Sequence, residues 1–408
     1  MIEEVTLNNG IQIVHQKNTF SKVGHIGVFI NVGSRDEGKG EEGIAHYLEH
    51  VIFKGTKNRK AFHVLSRLDS VGGELNAYTT KEETCVYASF PMEYLGRSLD
   101  LLADVIFNSN FPQSELTKEK EVVIDEINSY KDSPSDLIFD EFDQHLFKGH
   151  TLGNDILGTI KQVKSIKRNN VLKFVKQHYV PSKMVISSIG NFSLKKLMSQ
   201  INKYFEKESG DTYVSQRKAP DVTKPHDLTK VKDVYQSHTL MGGRGYSASN
   251  PKKATLLLVN NILGGPAMNS RLNLSIRERH GLTYMLESNC AIYSDSGTFS
   301  IYFGTDSKST DKVERLIKKE LIKLCEKPLG IQQLSQSKKQ VKGQLAISME
   351  NSLGVMLAHG KSKLLFNKVD SLAQVLVEFE KITSSEIMDV ANEIMHPNNL
   401  FKLLYQAK

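Results

Sequence analysis

The sequence predicts an α+β fold of two homologous domains, each an antiparallel sheet with helices packed on one side. Three observations predict it. One order of elements, namely strand, helix, helix, two strands, helix, proline, occurs twice along the 408 residues. Segment 23–35 alternates as a strand and ends at Gly and Ser, while the pattern of Leu95, Leu99, Leu102, Ala103 and Ile106 is that of a helix. The stretch between the copies is polar and holds Gly210, Pro220 and Pro225, which is linker chemistry. The expected division is a first domain over 1–208, a linker over 209–230 and a second domain over 231–408.

The chain opens with MIEEVTLNNGIQIVHQ, a strand–turn–strand pattern. VGHIGVFINVGSR, residues 23–35, alternates as a strand and ends at Gly33 and Ser34. GIAHYLEHVIFKGT is a glycine-flanked helix, and a second helix runs from Lys60 to about Val71. GGELNAYTTKEETCVYASF reads as two strands joined by a polar turn. Leu95, Leu99, Leu102, Ala103 and Ile106 mark a helix that ends before Pro112, and Glu115 to Tyr130 is helical. KMVISSIGNF, after Pro181, is a buried strand. In the second copy VYQSHTLMGGRGYS is a strand, and ATLLLVNNILGGPA is a helix stopped by Gly-Gly-Pro. Residues 270–279 are helical, LTYMLESNCAIYSDSGTFSIYFG gives two strands, and Lys312 to Cys325 is a helix before Pro328.

Composition sets the bounds. A hydrophobic fraction of 39% with 28 glycines is that of a globular protein and excludes a disordered tail or a collagen-like repeat. Cys85, Cys290 and Cys325 are too few and too scattered for a disulfide framework or a Cys-rich zinc site, and they suit a reducing compartment. No apolar run is long enough for a membrane span, so no membrane partner is expected. The N-terminal residues lack a basic start and an apolar stretch. The chain therefore reads as cytoplasmic or as trimmed of a leader, and the initial Met favours the first. A net charge of +7 invites a nucleic-acid reading. Acids are interleaved with the lysines almost everywhere, and even the Lys161–Arg168 run carries no nucleic-acid motif. No nucleic-acid partner is expected.

The chemistry is concentrated in His46-Tyr47-Leu48-Glu49-His50. Spacings of three and four place His46, Glu49 and His50 on one helical face. Two imidazoles one turn apart can hold one zinc ion, and a glutamate beside them can take a proton from water that the zinc activates. This is the inverted form of the H-E-x-x-H arrangement. The alternative is a polar helix face with two ordinary histidines. The repeat argues against it. Aligning the two motif helices pairs His46 with Leu257, Glu49 with Asn260 and His50 with Asn261, so the helix packs without the triad. A third ligand is expected from the 115–130 helix. There Val122, Val123, Ile127 and Tyr130 form an apolar stripe, with Glu119 and Glu126 on the same side. A carboxylate on a buried face is costly unless it is paired or bound to a metal. Glu126 is the expected ligand and Glu119 a partner that holds a histidine ring; a solvated stripe edge is the competing reading. His150 lies in a Gly-rich loop and reads as structural.

At this point the chain resembles the pitrilysin/insulinase family of zinc peptidases, in its short-subunit branch of processing peptidases. HYLEHVIFKGT, GGELNAYTTKEET, EKEVVIDEI and RERHGLTY match family blocks in order over nearly the whole length. The resemblance implies one Zn2+ per chain held by His46, His50 and Glu126, with Glu49 as general base and Glu119 beside a ligand. It implies a peptide substrate bound along a sheet edge at Leu75, Asn76 and Ala77. It also implies Arg277 and Tyr284 as donors to the oxyanion of the scissile carbonyl. Relatives enclose their peptide between two halves, each of two domains. A homodimer is therefore expected, with a heterodimer with a paralogue left open. Some relatives are non-catalytic or regulatory subunits, but the intact triad argues for an enzyme.

Overall fold

The computed structural model describes residues 2–209, 217–222 and 226–408; much of the expected linker, 210–216 and 223–225, lies outside the described residues. The first half runs through strands β1 (Ile2–Thr6), β2 (Gln12–Lys17) and β3 (Val23–Ile30), then helices α1 (Ile44–Val51) and α2 (Ala61–Asp69). It continues with β4 (Glu74–Thr79), β5 (Thr84–Pro91), α3 (Leu95–Asn108), α4 (Gln113–Lys131), α5 (Pro134–Leu146), α6 (Ile160–Ser165), α7 (Arg168–His178), β6 (Met184–Gly190) and α8 (Leu194–Phe205). The second half runs through β7 (Leu228–Lys232), β8 (Ser237–Arg244), α9 (Lys253–Gly264), β9 (Met285–Ile292), β10 (Gly297–Thr305), α10 (Thr310–Glu326) and α11 (Ile331–Ser348). It ends with α12 (Ser352–Phe366), α13 (Leu372–Lys381), α14 (Ser384–Val390) and β11 (Phe401–Ala407). The expected helix at 270–279 contains a π-helical turn over Asn273–Glu278.

The duplication holds strand for strand. The first sheet is ordered β1-β2-β6-β3-β5-β4 and the second β7-β11-β8-β10-β9. Matching β2, β6, β3, β5 and β4 to β7, β11, β8, β10 and β9 superposes the two orders, with β1 as an extra edge strand. The sheets are antiparallel apart from one parallel pair in each, β2 with β6 and β11 with β7. These pairs arise because the last strand of each copy returns beside the first after a long helical excursion, and such a crossover yields parallel neighbours.

The chain divides into two compact units. The first comprises Met1–Asn128, Asn154–Arg217 and Ser348–Val369; the second comprises Ser129–Gly153, Lys218–Ile347 and Asp370–Lys408. Each unit therefore borrows a helix from the other half of the sequence. In the first unit the main core packs Ile26, Val28 and Val86 of the sheet against α1, α2, α3, α7 and α8. The opposite face is covered by α12, with Val355 and Met356 against Val14, Phe29 and Val185. Gly360 allows this approach, because a Cβ there would lie 2.0 Å from the Phe29 ring. Ser187 Oγ donates to the Met356 carbonyl at 2.8 Å.

In the second unit Phe299, Ile301 and Phe303 face the core built with α9, α10 and α14. Leu240, Tyr302 and Leu403 face the other way, toward Ile138, Phe142 and Leu146 of α5. Phe142 stacks on Phe401 with ring centroids 4.4 Å apart. Helices thus cover one face of each sheet as expected, and a single exchanged helix covers the other. This is why β6 and β10 are buried along their whole length. No helix among the described residues is long and apolar enough to cross a membrane.

Candidate metal centre

The site is built on α1 and α4 of the first unit. Ile44, Ala45, Leu48 and Val51 bury one side of α1. Tyr47, also buried, donates its hydroxyl to the Leu116 carbonyl at 2.5 Å and so ties α1 to α4. The remaining face presents His46, Glu49 and His50, with His46 buried and the other two half-buried. On α4 the buried side chains are Leu116, Glu119, Val123, Ile124 and Ile127. The apolar stripe read from the sequence is corrected at two positions. Val122 and Tyr130 are 50% and 42% exposed. The packed face is centred on Leu116, Val123 and Ile127, and the exposed Val122 and Tyr130 lie outside it. Glu119 and Glu126 remain on the side that meets α1.

Donor atoms of His46, His50 and Glu126 all lie within 4.8 Å of one another. Glu126 Oε2 is 3.7 Å from His46 Nε2 and 3.2 Å from His50 Nε2. Donors around a tetrahedral zinc with bonds of about 2.0–2.1 Å are spaced by roughly 3.3 Å, close to the two separations from Glu126, so the three are placed to share one ion. The rings of His46 and His50 lie edge to face, with centroids 4.7 Å apart. Burial, and then the neighbouring His50, push the His46 imidazole down to about 3. Its ring is therefore neutral, the form that offers a lone pair to a metal. Two imidazoles and one carboxylate also leave room for a further ligand, as a catalytic zinc site requires.

Glu119 is 7% exposed and divides its carboxylate between two partners. Oε1 lies 3.2 Å from His50 Nδ1 and Oε2 lies 2.7 Å from Lys54 Nζ. The first contact fixes the proton of His50 on Nδ1 and leaves Nε2 facing Glu126. Lys54 has no counterpart in the sequence reading. Its one signal is the four-residue spacing from His50, which lies at the helix end where i,i+4 pairing cannot be assumed. Glu49 is raised above the usual carboxylate range by burial first and by the charge of Glu126, opposed by Thr79 and His50 beside it.

Leu75, Asn76 and Ala77 lie on β4, which among the described residues pairs only with β5 and forms an edge of the first sheet. α1 packs against this strand, and Thr79 at its end is the residue beside Glu49. On this edge Asn76 is exposed, and the Ala77 amide donates to its side-chain oxygen at 2.8 Å. Arg277 and Tyr284 belong to the second unit. Arg277 sits in the π-helical turn and Tyr284 is 85% exposed just before β9. Arg277 lines a cavity of about 430 Å³ with Asn260, Asn261, Gly265 and Glu287. In that unit α9 packs on edge strand β9 as α1 packs on β4, and Asn260 and Asn261 stand where the first unit has Glu49 and His50. His150 bonds the Lys218 carbonyl at 2.9 Å and the Leu152 amide at 3.1 Å, a structural role.

Two sheet-plus-helix repeats, with a two-histidine, one-carboxylate cluster in the first alone among the described residues, define a recognisable class. Residues 12–160 match the family described as insulinase (peptidase family M16), and residues 165–341 match the peptidase M16 inactive domain. An uncharacterized zinc protease of Bacillus subtilis is 34% identical over 398 residues, covering 97% of this chain and 96% of its own. One of Streptomyces coelicolor is 29% identical over 401 residues, covering 97% and 87%. The chain belongs to the M16, insulinase-like, peptidase family. Its fold is that of a protease from Helicobacter pylori, with a TM-score of 0.92 at 23% identity over 100% of this chain and 99% of that one. It is equally that of a peptidase M16 inactive domain from Pseudomonas fluorescens, with a TM-score of 0.93 at 16% identity over 100% and 98%.

Proposed function

We propose that the chain is a zinc metalloendopeptidase that hydrolyses peptides or unfolded segments inside a dimeric chamber in the cytoplasm. The observation that carries this reading is the convergence of His46, His50 and Glu126 within 4.8 Å, with Glu49 on the same helix face. The first repeat, 1–208, is the catalytic domain, and the second, 231–408, contacts substrate. His46, His50 and Glu126 hold one zinc, and Glu119 orients His50. Zinc, when bound, supplies Lewis acidity that activates water and polarises the scissile carbonyl. Glu49 accepts the proton of the attacking water and delivers it to the departing amine. An extended peptide adds to the β4 edge at Leu75, Asn76 and Ala77, where backbone bonds give affinity with little sequence demand. Arg277 and Tyr284 of a second copy donate to the developing oxyanion.

Metal analysis and peptide-library digestion of the purified protein test the reading together. About one zinc per chain is expected, with peptides of tens of residues cut and stable folded domains spared. Glu49→Gln keeps the zinc and loses turnover by on the order of 100-fold or more. Near-normal turnover in Glu49→Gln would falsify the assigned mechanism.

A further inference from the structure

His46 differs from His50 in how its ring is held. His50 Nδ1 meets Glu119, whereas His46 Nδ1 is buried without a hydrogen-bond partner among the described residues. Metal-binding histidines are ordinarily aimed by a bond at the second nitrogen. The aim of His46 therefore depends on the backbone that carries it, the first turn of an eight-residue helix. The first amides of a helix have no partner within it, and this turn is where helices fray. α1 has neither a side-chain cap of its own nor an acid in its first turn; its N-cap is Gly43, at φ 89°.

The missing cap comes from Glu37, six residues upstream. Glu37 is 5% exposed. Its Oε2 accepts the Gly43 amide and its Oε1 the Ala45 amide, each at 2.9 Å. Ala45 immediately precedes His46. Burial pushes this carboxyl well above the usual range, and the two amides oppose the shift by favouring the charged form. The preceding residue is also clamped. Asp36 accepts the Gly33 amide at 3.0 Å and takes Arg217 through Nε and Nη2 at 2.9 and 2.7 Å. Glu37 thus projects from a fixed bracket rather than from a loose loop.

We propose that Glu37 is a positioning residue for the metal: by holding the Gly43 and Ala45 amides it fixes the turn that directs His46 toward His50 and Glu126. The inference rests on the reading of the three-residue cluster as a zinc site. The test titrates metal-free wild type and Glu37→Gln with Co2+, followed by d–d absorption, and with Zn2+ against a chromophoric chelator. Circular dichroism shows that each is folded. Gln keeps the length but offers one carbonyl oxygen, so it can satisfy only one of the two amides. Glu37→Gln is expected to bind zinc roughly 10- to 100-fold more weakly and to give an altered cobalt spectrum. Wild-type affinity with a wild-type spectrum overturns the proposal, even if the variant is less stable. Should Glu37→Gln fail to fold, Glu37→Asp, one methylene short of both amides, is read in the same way with the same two outcomes. A wild-type protein that binds neither metal overturns the zinc reading instead, and with it the basis of this one.

Discussion

Lys54 Nζ lies 2.7 Å from Oε2 of Glu119, whose other oxygen meets His50 Nδ1 at 3.2 Å. One carboxylate therefore serves a ring and an ammonium group together. Lys54 holds Glu119 in place and anchors its charge when no positive charge resides on the ring. Lys54→Met keeps the apolar stem and removes the ammonium. It should weaken zinc binding by about 10-fold while leaving Glu49 untouched. Competition with a chelator reads the affinity, and an unchanged dissociation constant would show that Glu119 needs no such anchor.

The proposed dimer predicts complementation. Glu49→Gln and the double variant Arg277→Ala, Tyr284→Phe should each be nearly inactive alone. If the donors act on the neighbouring copy, a mixed dimer holds one site with both the base and the donors intact. Activity should return on mixing, approaching one quarter of wild type if subunits exchange at random and one site in four is whole, on the order of the pairing statistics alone. Exchange demonstrated with labelled subunits, with no recovery of peptide hydrolysis, sinks the arrangement in trans.

Gly360 sets a packing test in the first unit. In an isolated helix Gly→Ala gains about 1 kcal/mol. Here the new methyl would meet the Phe29 ring at 2.0 Å, and Phe29 is fully buried with no room to swing. Overpacking costs about 1–3 kcal/mol and should win. Gly360→Ala is expected to lower the urea midpoint. A raised midpoint would mean that α12 shifts off the sheet more easily than the packing implies.

Glu314 on α10 predicts a pH dependence of stability. Burial alone would raise its carboxyl, but Lys318 and Lys402, 2.6 and 2.9 Å away, outweigh it and hold it below the usual value. A carboxylate depressed in the folded state contributes stability above its unfolded pKa of about 4.3, and this is lost as pH falls through the folded value. Glu314→Gln should therefore cost on the order of 1 kcal/mol at neutral pH. The urea midpoints of wild type and variant should converge below about pH 4. A gap that stays constant down to strong acid would assign the loss to packing instead of charge.

Much of the site was legible because its spacings are local. H-x-x-E-H fixes one face of one helix whatever surrounds it, and Glu119 and Glu126 share a face because seven residues are nearly two turns. Which flank of α4 packs was less legible. Val122 and Tyr130 are apolar enough to suggest a stripe, but the contact with α1 through Tyr47 and Leu116 decides the face. Lys54 and Glu37 went unread for a related reason. One lies beyond the helix end, and the other caps a helix from six residues away, outside the pattern of an ordinary N-cap. The repeat of strands was legible and their neighbours were not. Nothing in the pattern of Ile138, Phe142 and Leu146 names the sheet that they cover.

The exchanged helices bear on how the chain is made. When the ribosome has released the first two hundred residues, every strand of the six-stranded sheet is present, yet Val14, Phe29 and Val185 have no cover until α12 emerges some 150 residues later. At about 5–20 residues per second that wait lasts roughly 10–30 seconds, with an apolar sheet face open to water. The nascent chain is thus a natural client for a chaperone. A stop codon placed before Ser352 is expected to leave a product in which all six strands of the first sheet are complete and that sheet still aggregates.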